Sequence, residues 1–208
     1  MRVRRSARSA PKEFTSTPWD LVVVGLGNPG SRYRNTLHNV GVDVIEELAR
    51  RHDGSFRASK ASALVAEIRL GAKRVALAFP QTYMNDSGRA VAPLLRHYPV
   101  EDLRDLVVIH DELDLEPGRL KLKVGGGLAG HNGLRSLRDH LHDTGFTRVR
   151  VGVGKPPGGA TKGADHVLSA ANTRDRELIA VCVQEAADSV ELIASEGIEA
   201  AMARYNQR

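Results

Sequence analysis

His38 and Asp111 are the pair of side chains in this sequence best suited to move a proton. An imidazole titrates near neutral pH, and a carboxylate that accepts one ring N–H leaves the other ring nitrogen free as a base. The same carboxylate raises the imidazole pKa by favouring its charged form. Asp111 falls at the end of a predicted strand, in "VVIHDELD", and His38 stands just ahead of a predicted helix that Asn39 can cap. The chemistry such a pair suits is activation of water. A turn ending in Gly118 offers Asp111 a purely structural role, and Asp114 equally.

Three asparagines stand at the ends of separate predicted strands: Asn28 in "GLGNPG", Asn85 in "TYMNDSG" and Asn132 in "GGGLAGHNG". Amides bind neutral polar groups and water at fixed geometry, as ester or amide chemistry requires. Each also has a local alternative, Asn28 as a turn former and Asn132 as a helix cap. Tyr83 can stack on a base or sugar, or simply pack. The five glycines of Gly125–Gly133 let backbone N–H groups converge on an anion at a helix start, and equally suit a mobile lid.

Gly25, Gly27 and Gly30 have the spacing of a dinucleotide fingerprint, but Pro29 interrupts it and the acidic residues about 20 positions on, Asp43 and Glu46, fall inside a helix. The dipeptide His110–Asp111 is reminiscent of metal-dependent HD phosphohydrolases, whose ligands lie on helices rather than on a strand. Ser87 lacks the elbow setting of a nucleophile. Cys182 is the only cysteine, which leaves no disulfide framework or cysteine-rich zinc site within one chain and suits a reducing, cytoplasmic compartment. No metal or cofactor is expected.

The elements that must position these residues follow from hydrophobic period. Strands are predicted at Leu21–Val24, in "ALVAEIRL" and "RVALAF" joined as a hairpin, in "LVVIH", in "RLKLKV" and in "TRVRVGV", where Arg148 and Arg150 alternate outward. Helices are predicted over 39–51, 87–97, up to about 141, 175–195, and after Gly197. That succession argues a single α/β domain of three layers, with a mixed, mostly parallel central sheet flanked by helices. Residues 19–208 make up this domain, and residues 1–18 read as a disordered basic arm or, given their Arg and Ser content, a transit segment. No apolar run reaches the roughly 20 residues of a membrane span.

The net charge of +5 lies in that arm: residues 1–12 carry five bases and no acid, and the rest of the chain carries 25 of each sign. Within the rest, residues 119–155 hold eight bases against two acids, a segment fit to meet phosphates.

Taken together, "GLGNPGSRYRNTLHN", "TYMNDSG", "HDELDLEPG", "GGGLAGHNGLRS" and "FTRVRVGVGKP" resemble the bacterial-type peptidyl-tRNA hydrolases in order and separation, from about Leu21 to the end of the chain. The resemblance implies a metal-independent enzyme that cleaves the ester between a peptide and the 3′ end of tRNA, acting as a monomer without an obligate protein partner. It implies His38 as general base, Asp111 as its orienter and Asn28 as the group engaging the peptide backbone. Asn85 and Asn132 match positions that hold substrate and water, Tyr33 and Tyr83 line the groove for the tRNA end and peptide, and His131 lies beside them. Lys121, Lys123, Arg148 and Arg150 fall where the family places phosphate-binding bases. Leu37 stands where the family usually has Arg, and Leu128–Ala129 interrupt a glycine run. A second reading is a non-catalytic RNA-binding relative, because an organellar splicing factor uses the same fold; retention of His38, Asp111 and the three asparagines favours the enzyme.

Overall fold

The computed structural model describes residues 17–156 and 163–207; residues 1–16 of the expected basic arm lie outside the described residues. Seven strands form one sheet: β1 (Leu21–Gly25), β2 (Arg57–Ala58), β3 (Ala63–Leu70), β4 (Lys73–Pro80), β5 (Leu106–Glu112), β6 (Leu120–Val124) and β7 (Thr147–Gly152). Their order is β2-β3-β4-β1-β5-β7-β6. The central pairs β4–β1, β1–β5 and β5–β7 are parallel, and the outer pairs are antiparallel. The apolar, β-branched run of β1 fits this place, since a central parallel strand is covered on both faces.

Helices α1 (Val40–Arg51), α5 (Thr173–Glu196) and α6 (Ile198–Tyr205) cover one face, over a core that includes Ile45, Val107, Val149 and Val190. Helices α2 (Ser87–His97) and α3 (Asn132–Leu141) cover the other, over Val24, Val108, Leu134 and Phe146. A short α4 (Gly163–Val167) and the two-residue β2 were not predicted. No helix among the described residues is long and apolar enough to cross a membrane.

The chain leaves β1 toward β4 on one side and returns to β5 on the other. A crevice at the carboxyl ends of the strands flanking such a switch is where open α/β sheets bind ligands. Two glycines let α1 lie close to this end. A Cβ on Gly25 would come 2.3 Å from the carbonyl oxygen of Gly41, and one on Gly41 would come 2.4 Å from that of Ile109. The first glycine of the fingerprint-like spacing therefore admits a helix, not a pyrophosphate.

Candidate active site

His38 sits in a 3₁₀ turn, Leu37–Asn39, that leads directly into α1. Its Nδ1 lies 2.7 Å from Oδ1 of Asp111, near the end of β5. A carboxylate only accepts, so Nδ1 carries the proton and Nε2 is left with its lone pair. His131 approaches the same oxygen from the other side, its Nε2 3.0 Å away. Its tautomer is fixed independently, because Nδ1 accepts the backbone N–H of Leu134 at 3.4 Å as the N-cap of α3. Burial by itself raises the pKa of Asp111, but the charge and hydrogen bonds of His131 and His38 outweigh it and hold the carboxyl below the usual range. Asp111 is thus an anion that receives two N–H groups on one oxygen.

Beneath this trio, His110 is fully buried, with Nδ1–H donated to the carbonyl of Asp111 and its ring edge-on to His131 at 4.9 Å. Desolvation, then the nearby His131, push its pKa down to about 3, so it is neutral throughout the working range. The His38, Asp111 and His131 ligand-type atoms lie within 4.8 Å of one another. The 2.7 and 3.0 Å separations are those of N–H···O bonds, and a cation entering there would displace both protons.

Asn28 is buried and held by three bonds. Its N–H donates to Oδ1 of Asn39 at 2.8 Å, its carbonyl accepts Nδ2–H of Asn39 at 2.9 Å, and its own Oδ1 accepts the backbone N–H of Met84 at 2.8 Å. With Oδ1 taken, the amide turns Nδ2, a donor without a protein acceptor among the described residues, toward the cleft. Asn39 was expected to cap α1; it occupies that position, but its side chain makes no capping bond and serves Asn28 instead. Asn39 and Met84 are the residues sequence reasoning missed, although each is adjacent in sequence to a site residue, His38 and Asn85.

These groups open into one cleft of about 690 Å³, whose walls also carry Tyr33, Tyr83, Asn85 and Asn132 and whose far rim is α4 with Leu168. Asn85 and Asn132 are exposed there. Asn132 is the first residue of α3 rather than its cap, a role His131 takes. Tyr83 is 61% exposed and meets Tyr33 edge-on at 6.4 Å, so it is not a core aromatic.

The four bases lie outside the cleft, and the expectation that Arg148 and Arg150 face outward is corrected. Arg148 is only 2% exposed, donating Nη1–H to the carbonyl of Gly127 at 2.8 Å and Nη2–H to that of Gly125. Alternation along β7 assigns both arginines to the face away from Val149, but the glycine-rich loop covers that face. Arg150 donates Nε–H to Glu112 at 3.0 Å, and Lys121 donates to the carbonyl of Asn206 at 2.6 Å. Lys123 is the exposed one of the four and makes no ion pair among the described residues. Leu37, where the resemblance leads one to expect Arg, is buried in the core. Leu128 packs at the edge of the opposite core, and Ala129 takes a left-handed φ of 47° that glycine adopts more cheaply.

The family model described as peptidyl-tRNA hydrolase matches residues 22–208. A peptidyl-tRNA hydrolase of Mycolicibacterium gilvum is 48% identical over 182 residues, 87% of this chain and 94% of that protein. One of Leifsonia xyli is 50% identical over 187 residues, 89% of this chain and 96% of that protein. The crystal structure of peptidyl-tRNA hydrolase from Acinetobacter baumannii superposes with a TM-score of 0.85 at 35% identity, covering 92% of this chain and 97% of that one.

Proposed function

The chain belongs to the peptidyl-tRNA hydrolase family, and from that premise we propose that it hydrolyses the ester between a peptide and the 3′ end of tRNA, with His38 as general base. The observation that carries this reading is the 2.7 Å bond from His38 Nδ1 to a buried, anionic Asp111, which leaves Nε2 free at the cleft.

His38 Nε2 takes a proton from water as the water oxygen bonds to the ester carbonyl carbon. Collapse of the tetrahedral intermediate breaks the bond to the ribose O3′, which receives that proton from His38. The products are the peptide acid and tRNA with a free 3′ hydroxyl. Asn28 Nδ2, fixed by Met84 and Asn39, suits a carbonyl of the peptide. Asn85 and Asn132 on the rim suit the developing oxyanion, and Tyr33 and Tyr83 suit the terminal nucleotide and peptide groove. Lys123 and Arg150 are the bases suited to meet phosphates, Lys123 by its exposure and Arg150 by exchanging its bond to Glu112. Peptidyl-tRNA is the one partner this reading requires, met by a single copy of the chain in the cytoplasm.

The test is cleavage of peptidyl-tRNA by wild type and by His38→Ala. Loss of the base is expected to lower kcat by about 10² to 10⁴, with tRNA binding retained. Undiminished hydrolysis by the variant would remove His38 from this role. EDTA is expected to leave turnover unchanged, and strong inhibition would turn His38, Asp111 and His131 into metal ligands. A binding-only relative would show salt-sensitive RNA affinity and release no peptide in the same assay.

A further inference from the structure

Arg148 raises a question that the reaction leaves open. Its guanidinium is buried without a carboxylate partner among the described residues: Glu112, the acid whose charge reaches it, is bonded to Arg150. Its Nε–H has no partner among the described residues, and the donors it does use both go to main-chain carbonyls of the loop that follows β6. Burying a cation without a counter-ion is costly, and an apolar side chain of similar length would fill the same space more cheaply. The cost has to be set against what the two bonds hold.

They hold a segment with little order of its own. Gly125, Gly126, Ala129 and Gly130 all have positive φ, a region of backbone space that fixes no regular hydrogen-bond ladder. Gly125 N–H donates to the carbonyl of Phe146, and His131 N–H donates to that of Leu128. Between those two ties, among the described residues, the loop is fastened by Arg148 and by the side chain of Leu128 against the core. What emerges at its end is the wall of the cleft, Ala129 and Gly130, and then His131 on Asp111.

Resting on the hydrolase reading above, we propose that Arg148 is a positioning residue, which pins the glycine-rich loop by the carbonyls of Gly125 and Gly127 and thereby sets His131 and the Ala129–Gly130 wall against the reacting ester. It acts from beneath the loop and does not itself contact tRNA.

The test uses the full chain with Arg148→Met and Arg148→Lys, the latter keeping the charge without the fork that spans two carbonyls. In Arg148→Met, hydrogen exchange of the amides of residues 125–131 is expected to quicken about tenfold or more while those of β5 and β7 keep their protection. Turnover of peptidyl-tRNA is expected to fall about tenfold in kcat with a smaller change in KM, and Arg148→Lys to recover part of both effects. The slope of log affinity for tRNA against log salt should match wild type in both variants, whereas a lost phosphate contact lowers it by about one. Unchanged loop exchange, or a slope reduced by about one, would overturn the proposal. If Arg148→Met does not fold, Arg148→Lys carries the same two criteria. A wild type that releases no peptide would sink the hydrolase reading and leave the exchange result standing on its own.

Discussion

Asn39 is not among the residues lining the cleft, yet both ends of its amide are bonded to the main chain of Asn28. Asn39→Ala would leave a buried N–H and a buried carbonyl without partners, a loss of about 1–3 kcal/mol. The expected outcome is a lower urea midpoint together with a kcat/KM reduced about tenfold; wild-type kinetics in a destabilised variant would separate Asn39 from the site. At this scale the residue types were legible and their partners were not. His38 and Asp111 could be paired because an imidazole and a carboxylate at element ends have few other joint uses. Asn39 looked like a cap because asparagine serves both purposes with the same atoms. His131 took the capping role expected of Asn132, a shift of one residue that releases Asn132 to the cleft. Arg148 was misplaced because alternation specifies a face of the sheet and says nothing about what later covers that face.

Among the elements, α1 has the most exacting placement, because the 3₁₀ turn leading into it carries His38 and its own second residue, Gly41, packs against the middle of β5 at Ile109 and against Leu26, the residue that follows β1. A methyl on Gly41 would stand 2.4 Å from the carbonyl oxygen of Ile109 and 2.8 Å from the backbone nitrogen of Leu26. Gly41→Ala must therefore lift the helix start from the sheet, at about 1–3 kcal/mol or more for overpacking. Hydrolysis is expected to fall further than stability does, since the lift separates His38 from Asp111; a soluble variant with full activity would show that the turn moves independently of the helix. The strands and longer helices were readable to within a residue or two, from an apolar run or a hydrophobic period and, at most of their ends, a glycine, proline or asparagine. Elements as short as β2 and α4 carry no period and are set by what they pack against.

For the whole molecule, stability follows pH through Asp43, in the first turn of α1. Burial, then the charge of Glu46, raise its pKa to about 6. Between about pH 4 and pH 6 the folded chain holds a proton that the unfolded chain has released, so this group's contribution to stability falls as pH rises through that window and stays lost above it. Asp43→Asn removes the dependence. Its melting temperature is expected to exceed that of wild type at pH 8 by a few degrees, about 2–4 °C for each kcal/mol, and to match it near pH 4. A gain independent of pH would point to some other cause. The mixed sheet itself was foreseeable from the alternation of strand and helix patterns, because parallel neighbours need crossovers of that length. His38 and Asp111 stand 73 positions apart, and what joins them is the parallel pairing of β1 with β5, in which Gly25 faces Ile109. A slip of one residue in that pairing would turn Asp111 to the opposite face of the sheet. Turnover is in that sense a gauge of strand register: in a refolding chain, the first hydrolytic events date the moment at which the two central strands have locked in step, a moment that spectroscopic signals of secondary structure pass without marking.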